Sequence, residues 1–215
     1  MYKLYNVKGW GSMGVQFLLE ELEIPYTSVW MTPEQVRMPE FRQRSPLGFI
    51  PALGIEDGRT LFETAGIITF LVTTHSDKRL SPRPGSNDFG EFLSWLQLMN
   101  SNLYGALSIS FHGDFYAMTP VHDAFITAKA IEKCDSLWEL LDRRLAAEGP
   151  WLMGKTYSAL DIYAFVAACW GRPNEMAVLG KFPNVAKLAM GVRSRPKLKA
   201  ALKDHGVARP GEYDA

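Results

Sequence analysis

Hydrophobic and polar residues follow two different periods in the first 76 residues of the chain. Residues 2–7 (YKLYNV) and 23–31 (EIPYTSVWM) are short and rich in aromatic and β-branched side chains, which predicts two strands. Between them, apolar residues recur at the i, i+3, i+4, i+7 spacing of one helix face. These residues are Val15, Leu18, Leu19 and Leu22. A strand, a helix and a second strand in this order predict a parallel pair.

The next segments complete a sheet with helices packed on it. Thr32 and Pro33 have the composition of a helix start, and the helix that follows ends before Pro46. The segments PALGI and RTLFE are joined by EDG, which indicates a β-hairpin. The segment TAGIITFLVTTH then predicts a helix. The predicted order is therefore β-α-β-α-β-β-α.

The remainder of the chain has only helical periodicity. A stretch rich in Pro, Ser, Gly and charge separates it from the sheet-forming part, so we predict a domain at 1–76, a linker at 77–88 and an all-helical domain at 89–215. Ser158 and Asp161 have the spacing of a capping box before the apolar run IYAFVAAC. Residues 209–215 predict a loose polar tail. Two apolar stripes mark helix seams: Phe92, Trp95, Leu96, Met99 and Leu103, then Ile131, Cys134, Trp138, Leu141 and Leu145.

Composition excludes several classes of protein. Apolar residues make up 47% of the chain, which is enough for a core, and the net charge of zero lacks the basic surface of a nucleic-acid-binding protein. The two cysteines form no C-x-x-C pair, and the four histidines lack the spacing of metal ligands. No secretion signal and no apolar run of membrane-spanning length is evident. We therefore expect a cytoplasmic protein that binds no metal, membrane or nucleic acid.

Pro51 stands directly before a strand pattern, where a residue without an N–H group is unexpected. It could begin an edge strand or form a cis bend. Four segments in this order resemble matching blocks of the cytosolic glutathione S-transferase family, of the bacterial type: SPLGFIPAL, LFETAGI, KTYSALDIYAF and KFPNVAKLAMGVRSRP. The resemblance covers nearly the whole chain. It implies an α/β thioredoxin-like domain followed by an all-α domain.

The resemblance also implies a glutathione site with a cis bond before Pro51. The N–H and C=O groups of Ile50 would then pair with the peptide ligand as an added strand would. Glu63 would bind the ammonium of the γ-glutamyl group, and Thr64, at a helix N-terminus, would help to bind its carboxylate. Thr64 as a plain helix cap is compatible with this role. Trp10, Ser12 and Phe49 complete the predicted glutathione-binding set.

The group that activates the glutathione thiol is the least determined part of this prediction. A free thiol ionises at about pH 8.5, so the protein must stabilise the thiolate. The positions that carry tyrosine, serine or cysteine in branches of the family align with Leu4, Trp10 and Gly11 here. Ser12 is the nearest hydroxyl and the predicted catalytic donor. A pure N-cap function for Ser12 is the equal alternative, and Tyr5 is a second candidate donor.

Aromatic residues in the loop and in the helical part predict the site of the second, apolar substrate. Packing between helices is the alternative explanation for about half of them. Arg172 could pair with an acidic substrate, but a surface salt bridge is the favoured alternative. The predicted electrophile-site residues are Trp10, Met13, Tyr104, Phe111, His112, Phe115, Tyr116 and Trp170.

Two functions are compatible with these patterns. The first is a glutathione transferase that moves alkyl or aryl groups to the thiolate of glutathione, its co-substrate, as in detoxification. The second is a glutathione-binding or regulatory protein without catalysis, since fold alone does not fix function. A thioredoxin-like oxidoreductase would need C-x-x-C and is rejected. The resemblance also implies a homodimer.

Overall fold

The computed structural model describes residues 1–207 of the chain. The predicted loose tail, 209–215, lies outside the described residues. The chain divides into two compact units, one formed by Met1–Ser86 with the segment that begins at Arg193, and one formed by Asn87–Val192. The described segment 193–207 thus contacts the first unit, whereas the sequence patterns assign it to the helical domain.

The secondary structure follows the predicted order in the first unit and is helical in the second. The elements of the described residues are β1 (Tyr2–Asn6), α1 (Ser12–Leu22), β2 (Tyr26–Trp30), α2 (Pro33–Arg37), β3 (Ala52–Gly54), β4 (Thr60–Phe62), α3 (Thr64–Thr74), α4 (Asn87–Leu98), α5 (Gly105–Phe111), α6 (Pro120–Glu148), α7 (Ala159–Cys169), α8 (Glu175–Lys181), α9 (Pro183–Arg193) and α10 (Lys199–His205). Short 3₁₀ segments follow α2, α3 and α5 and precede α10. A π-helical segment, Met99–Tyr104, links α4 to α5.

The four strands form one mixed sheet in the order β2-β1-β3-β4. The parallel β1–β2 pair and the antiparallel β3–β4 hairpin confirm the prediction, and β3 also runs antiparallel to β1. Because β3 is a central strand, the edge-strand interpretation of Pro51 is wrong. The Ile50–Pro51 bond is cis, as predicted.

The two faces of the sheet carry different helices. α1 packs on β1 and α3. Tyr5 belongs to a buried cluster with Val36 of α2 and Phe41 of the following 3₁₀ segment. Since neighbouring strand residues point to opposite faces, the fully buried Leu4 faces away from that cluster. Thr32 is the N-cap of α2 and Pro33 its first residue, which confirms the predicted helix start, and Gln35 completes a capping box with Thr32.

The described segment 193–207 is held on α1 by charged contacts. The guanidinium of Arg195 binds the buried carboxylate of Glu21 through two nitrogens, one at 2.8 Å. Lys197 forms an ion pair with Glu23 at 2.8 Å. A buried carboxylate needs such a partner, so these contacts fix the C-terminal segment against the first unit.

In the second unit, one predicted apolar stripe lies on α4 and the π-helical segment after it, and the other lies on α6. Cys134, Trp138, Leu141 and Leu145 of α6 are buried, while Ile131 is half-buried. α7 is buried along nearly its whole length. The predicted capping box at Ser158 and Asp161 is confirmed. No helix among the described residues combines the length and the apolar character that crossing a membrane requires.

Candidate active site

Strand register brings three of the predicted site elements to one end of the sheet. Tyr5, near the end of β1, lies opposite Ala52, the first residue of β3. Ala52 in turn lies opposite Phe62, the last residue of β4. The β1–α1 loop, the turn at Ile50 and Pro51, and the start of α3 at Glu63 therefore meet at the same sheet end.

The β1–α1 loop is closed by Ser12. The N–H of Val7 donates to the Ser12 hydroxyl oxygen at 3.1 Å, and the hydroxyl donates to the Val7 carbonyl at 3.3 Å. Ser12 is 0% exposed and is the first residue of α1. Gly11 occupies the N-cap position, and no side chain caps the helix, so the N-cap interpretation of Ser12 is wrong. The thiolate-donor role stays a prediction. It requires the Ser12 hydroxyl to give up its hydrogen bond to the Val7 carbonyl and to donate to the ligand's sulfur instead.

Tyr5 lies in a different environment. Its ring packs edge-on against Phe41, with centroids 5.8 Å apart, and the Arg44 guanidinium stacks over it at 4.9 Å. The ring is nearly buried, in the same cluster as Ile50. As the alternative donor, Tyr5 would approach a ligand from the α2 face of the sheet.

The turn before β3 presents backbone and one aromatic ring. The β3 ladder begins at Ala52, so Ile50 and Pro51 stand outside its pairing. The Phe49 N–H donates to the buried Ser45 hydroxyl oxygen at 3.2 Å, which fixes the turn. The Phe49 side chain is 63% exposed and the Trp10 side chain 37% exposed. Both rings are thus accessible from outside the protein.

The start of α3 is a second anchor point for a charged ligand. Glu63 is exposed, occupies the N-cap position and has φ 66° and ψ 118°. Thr64 is buried and is the first helical residue, so its interpretation as the cap is wrong. The first intrahelical bond runs from the Ile67 N–H to the Glu63 carbonyl at 2.9 Å. The N–H groups of the first turn before it have no acceptor within the helix, and they favour an anion.

The aromatic candidates in the second unit form separate groups. Tyr104 stacks on Tyr163 with centroids 6.4 Å apart and meets Trp170 edge-on at 5.4 Å. His112 stacks on Phe115 at 5.0 Å. Phe115 and Tyr116 are exposed.

Phe111 is half exposed, and the Arg172 guanidinium lies 4.6 Å from its ring centroid. Nε of Arg172 is buried without a hydrogen-bond partner. Among the described residues, a stacked contact thus takes the place of the salt bridge expected for Arg172. Met13 of α1 is 0% exposed, like Ser12, so its place in the electrophile site stays a prediction that requires the side chain to become accessible.

Sequence reasoning missed His205, which contacts the β1–α1 loop. Its Nδ1 accepts the N–H of Gly9 at 3.0 Å, although 196 residues separate the two. Burial lowers the pKa of His205 to about 4. No local pattern could have found this contact, because only folding brings α10 to the loop.

Family models agree with the geometry over most of the chain. The model of the glutathione S-transferase N-terminal domain matches residues 12–74, and that of the C-terminal domain matches residues 120–205. The chain belongs to the glutathione S-transferase family. The predicted fold, a thioredoxin-like domain followed by an all-helical domain, is thereby confirmed.

Relatives of this glutathione S-transferase family member align along nearly its whole length. An uncharacterized GST-like protein of Escherichia coli K12, YncG, is 27% identical and covers 96% of this chain and 100% of its own length. The structure of a sphingomonad glutathione S-transferase complexed with glutathione is 26% identical, with a TM-score of 0.81, and covers 96% of this chain and 100% of its own. A glutathione S-transferase from Xylella fastidiosa has a TM-score of 0.85 at 24% identity, over 96% and 99% of the two chains.

Proposed function

We propose that this protein is a glutathione transferase in which bound glutathione, as thiolate, attacks a small and largely apolar electrophile. The observation that carries the proposal is the meeting of the β1–α1 loop, the Ile50 turn and the α3 N-terminus at one sheet end. These three elements offer peptide backbone, a helix N-terminus and a carboxylate, which are the partners a γ-glutamyl peptide needs. The glutathione-bound sphingomonad relative supports the same ligand here.

Glutathione would be anchored at both ends of this site. The cysteinyl N–H and C=O would pair with the C=O and N–H of Ile50, which take no part in the β3 ladder. Glu63 would bind the ammonium, and the first N–H groups of α3, beginning at Thr64, would bind the neighbouring carboxylate. The exposed rings of Trp10 and Phe49 would cover the ligand.

The cysteinyl sulfur would then lie near the β1–α1 loop. Its proton leaves to solvent, the thiolate sulfur forms a bond to the electrophilic carbon, and the leaving group departs with its electron pair. Each unit by which the thiol pKa falls corresponds to about 1.4 kcal/mol of thiolate stabilisation. A hydrogen bond to the charged sulfur supplies about 1.5 to 3 kcal/mol. Ser12 is the proposed donor, with the first turn of α1 beside it, and Tyr5 is the alternative.

The candidate contacts of the electrophile are Trp10 in the first unit and a set of aromatic side chains in the helical unit. Apolar rings suit an apolar second substrate, since contact with them removes its surface from water. We also propose that the protein is a homodimer, as the family resemblance implies. The proposed contacts in the second unit are Tyr104, Phe111, His112, Phe115, Tyr116 and Trp170.

A glutathione-binding protein without catalysis is the second candidate. It is favoured by one observation: both hydrogen-bonding functions of the Ser12 hydroxyl are used by Val7. In this alternative the site binds glutathione but leaves its thiol protonated.

A titration of the purified protein with glutathione separates the two candidates. The ultraviolet absorbance of the thiolate is followed across pH, with S-methylglutathione as the blank. A thiol pKa at least one unit below the free value supports the transferase. Binding with an unshifted pKa supports the binding protein, and the absence of binding refutes both.

A further inference from the structure

The imidazole of His205 has a defined tautomer. A peptide N–H can only donate, so the Gly9 N–H at 3.0 Å from Nδ1 requires that Nδ1 be unprotonated. The neutral ring then carries its proton on Nε2. That nitrogen lies 2.9 Å from Oε1 of Gln16, which accepts the hydrogen bond. His205 therefore bridges the β1–α1 loop and α1 in one protonation state.

Gln16 extends this bridge to two strands and to α10. Its Oε1 also accepts from Nδ2 of Asn6, at the end of β1, and Nδ2 of Asn6 donates to the Ser28 hydroxyl oxygen of β2 at 3.0 Å. Nε2 of Gln16 points to the carboxylate of Asp204 at 3.4 Å. Asn6 is fully buried and Gln16 nearly so, hence their amide groups depend on these internal partners.

The surroundings of the ring favour its neutral form. His205 is 3% exposed, and its ring contacts Phe17 edge-on at 5.8 Å and Trp30 at 5.4 Å between centroids. Burial is the main cause of its lowered pKa, and Lys8 of the loop acts in the same direction. Asp204 on α10 opposes them. The groups that α1 and β2 present to the ring are Gln16, Phe17 and Trp30, none of which is charged.

We propose that His205 is a positioning residue for the candidate active site: as a neutral imidazole it holds Gly9, and with it the loop that carries Trp10 and leads into Ser12. Gly9 has φ 73°, a conformation that glycine adopts without strain. Protonation of Nδ1 would set two donors against each other and break this bond. The consequence for thiol activation rests on the proposed function, but the effect on the loop does not.

Three variants distinguish the effect of the hydrogen bond between Gly9 and His205 from the effect of packing by the His205 ring. His205→Asn keeps an acceptor, Oδ1, close to the position of Nδ1. His205→Phe keeps the ring between Phe17 and Trp30 but removes both hydrogen bonds. Lys197→Ala loosens the same C-terminal segment at its exposed ion pair with Glu23 and leaves the loop untouched.

The first measurement is amide hydrogen exchange of Gly9 in the ligand-free protein, compared with a core amide such as that of Leu53. Loss of one hydrogen bond raises the exchange rate of an amide about tenfold. We therefore expect His205→Phe to raise the exchange rate of the Gly9 amide about tenfold relative to that of Leu53. His205→Asn should restore most of the protection, and Lys197→Ala should leave Gly9 unchanged. Equal Gly9 exchange in the wild type and His205→Phe would overturn the proposal, as would equal acceleration in all three variants.

The second measurement is the pKa of the thiol of glutathione bound to the same proteins. We expect His205→Phe to raise it toward the free value and His205→Asn to hold it near that of the wild type. A wild type that binds no glutathione refutes the proposed function, whereas Gly9 exchange still decides whether His205 positions the loop. Altered Gly9 exchange with an unchanged bound-thiol pKa would refute the link to the active site.

Discussion

Replacement of Asp161 by alanine should destabilise the helical unit strongly. Its Oδ1 accepts the N–H of Leu152 at 2.8 Å, and its Oδ2 accepts the N–H of Ser158 at 2.8 Å and the Ser158 hydroxyl at 3.2 Å. All three residues are buried, with Asp161 0% exposed. The substitution thus leaves two buried backbone N–H groups without an acceptor, because water cannot reach them.

The magnitude follows from two opposing contributions. Each unsatisfied buried N–H costs about 1 to 3 kcal/mol. Burial of the carboxyl raises the pKa of Asp161 to about 7, so removal of the group recovers part of the cost of burying its charge. We expect a net loss of about 2 to 4 kcal/mol in the free energy of unfolding. For a chain of this size, that loss corresponds to a fall in Tm of about 5 to 15 °C.

Asn174→Ala is the matched control. Asn174 is the N-cap of α8, and its Oδ1 likewise accepts a backbone N–H at a helix start, that of Ala177 at 3.0 Å, but the residue is exposed. Water can replace this cap, so we expect a loss of about 1 kcal/mol. Urea unfolding at about pH 8, above the pKa of Asp161, is followed by fluorescence and circular dichroism. Similar small losses for the two variants would refute the argument that burial sets the cost.

Three further predictions concern the first unit. Ser12→Ala should lower turnover at saturating glutathione about tenfold or more, which is one lost charged hydrogen bond; unchanged turnover would exclude Ser12 as the donor. Glu63→Gln should raise the glutathione Kd more than it lowers kcat, because Glu63 would bind the ammonium; calorimetry showing an unaltered Kd contradicts this. The folded-state pKa of His205, about 4, lies below its unfolded value of about 6.5, so only the unfolded chain gains a proton between these pH values. The wild type should therefore lose about 3 kcal/mol of stability as pH falls from about 6.5 to 4, and His205→Asn should lack this loss; parallel stability curves of the two proteins would rule out the lowered pKa.

Local patterns in the sequence determined most of the secondary structure. The capping boxes at Thr32 and at Ser158 depend on residues three positions apart, so their side chains reach the helix start wherever the helix packs. The β3–β4 hairpin is likewise local, since its turn joins adjacent strands. The apolar stripes predicted the buried faces of α4 and α6, because a helix repeats its faces every 3.6 residues. The family resemblance supplied the cis bond before Pro51 and the expected ligand.

Only the tertiary structure decided which hydrogen bonds, cap positions and degrees of burial the residues of the candidate active site have. Ser12 is a residue type that often serves as an N-cap. Its hydroxyl instead forms hydrogen bonds with the backbone N–H and C=O of Val7, because the chain after β1 turns back toward the start of α1. Glu63, not Thr64, occupies the N-cap position of α3, where the chain leaves β4 with a positive φ. Met13 is buried within α1, whereas the sequence analysis assigned it to the electrophile site. His205 reaches Gly9 across nearly the whole chain. These contacts depend on which surfaces meet in space, and residue spacing along the chain carries no information about that.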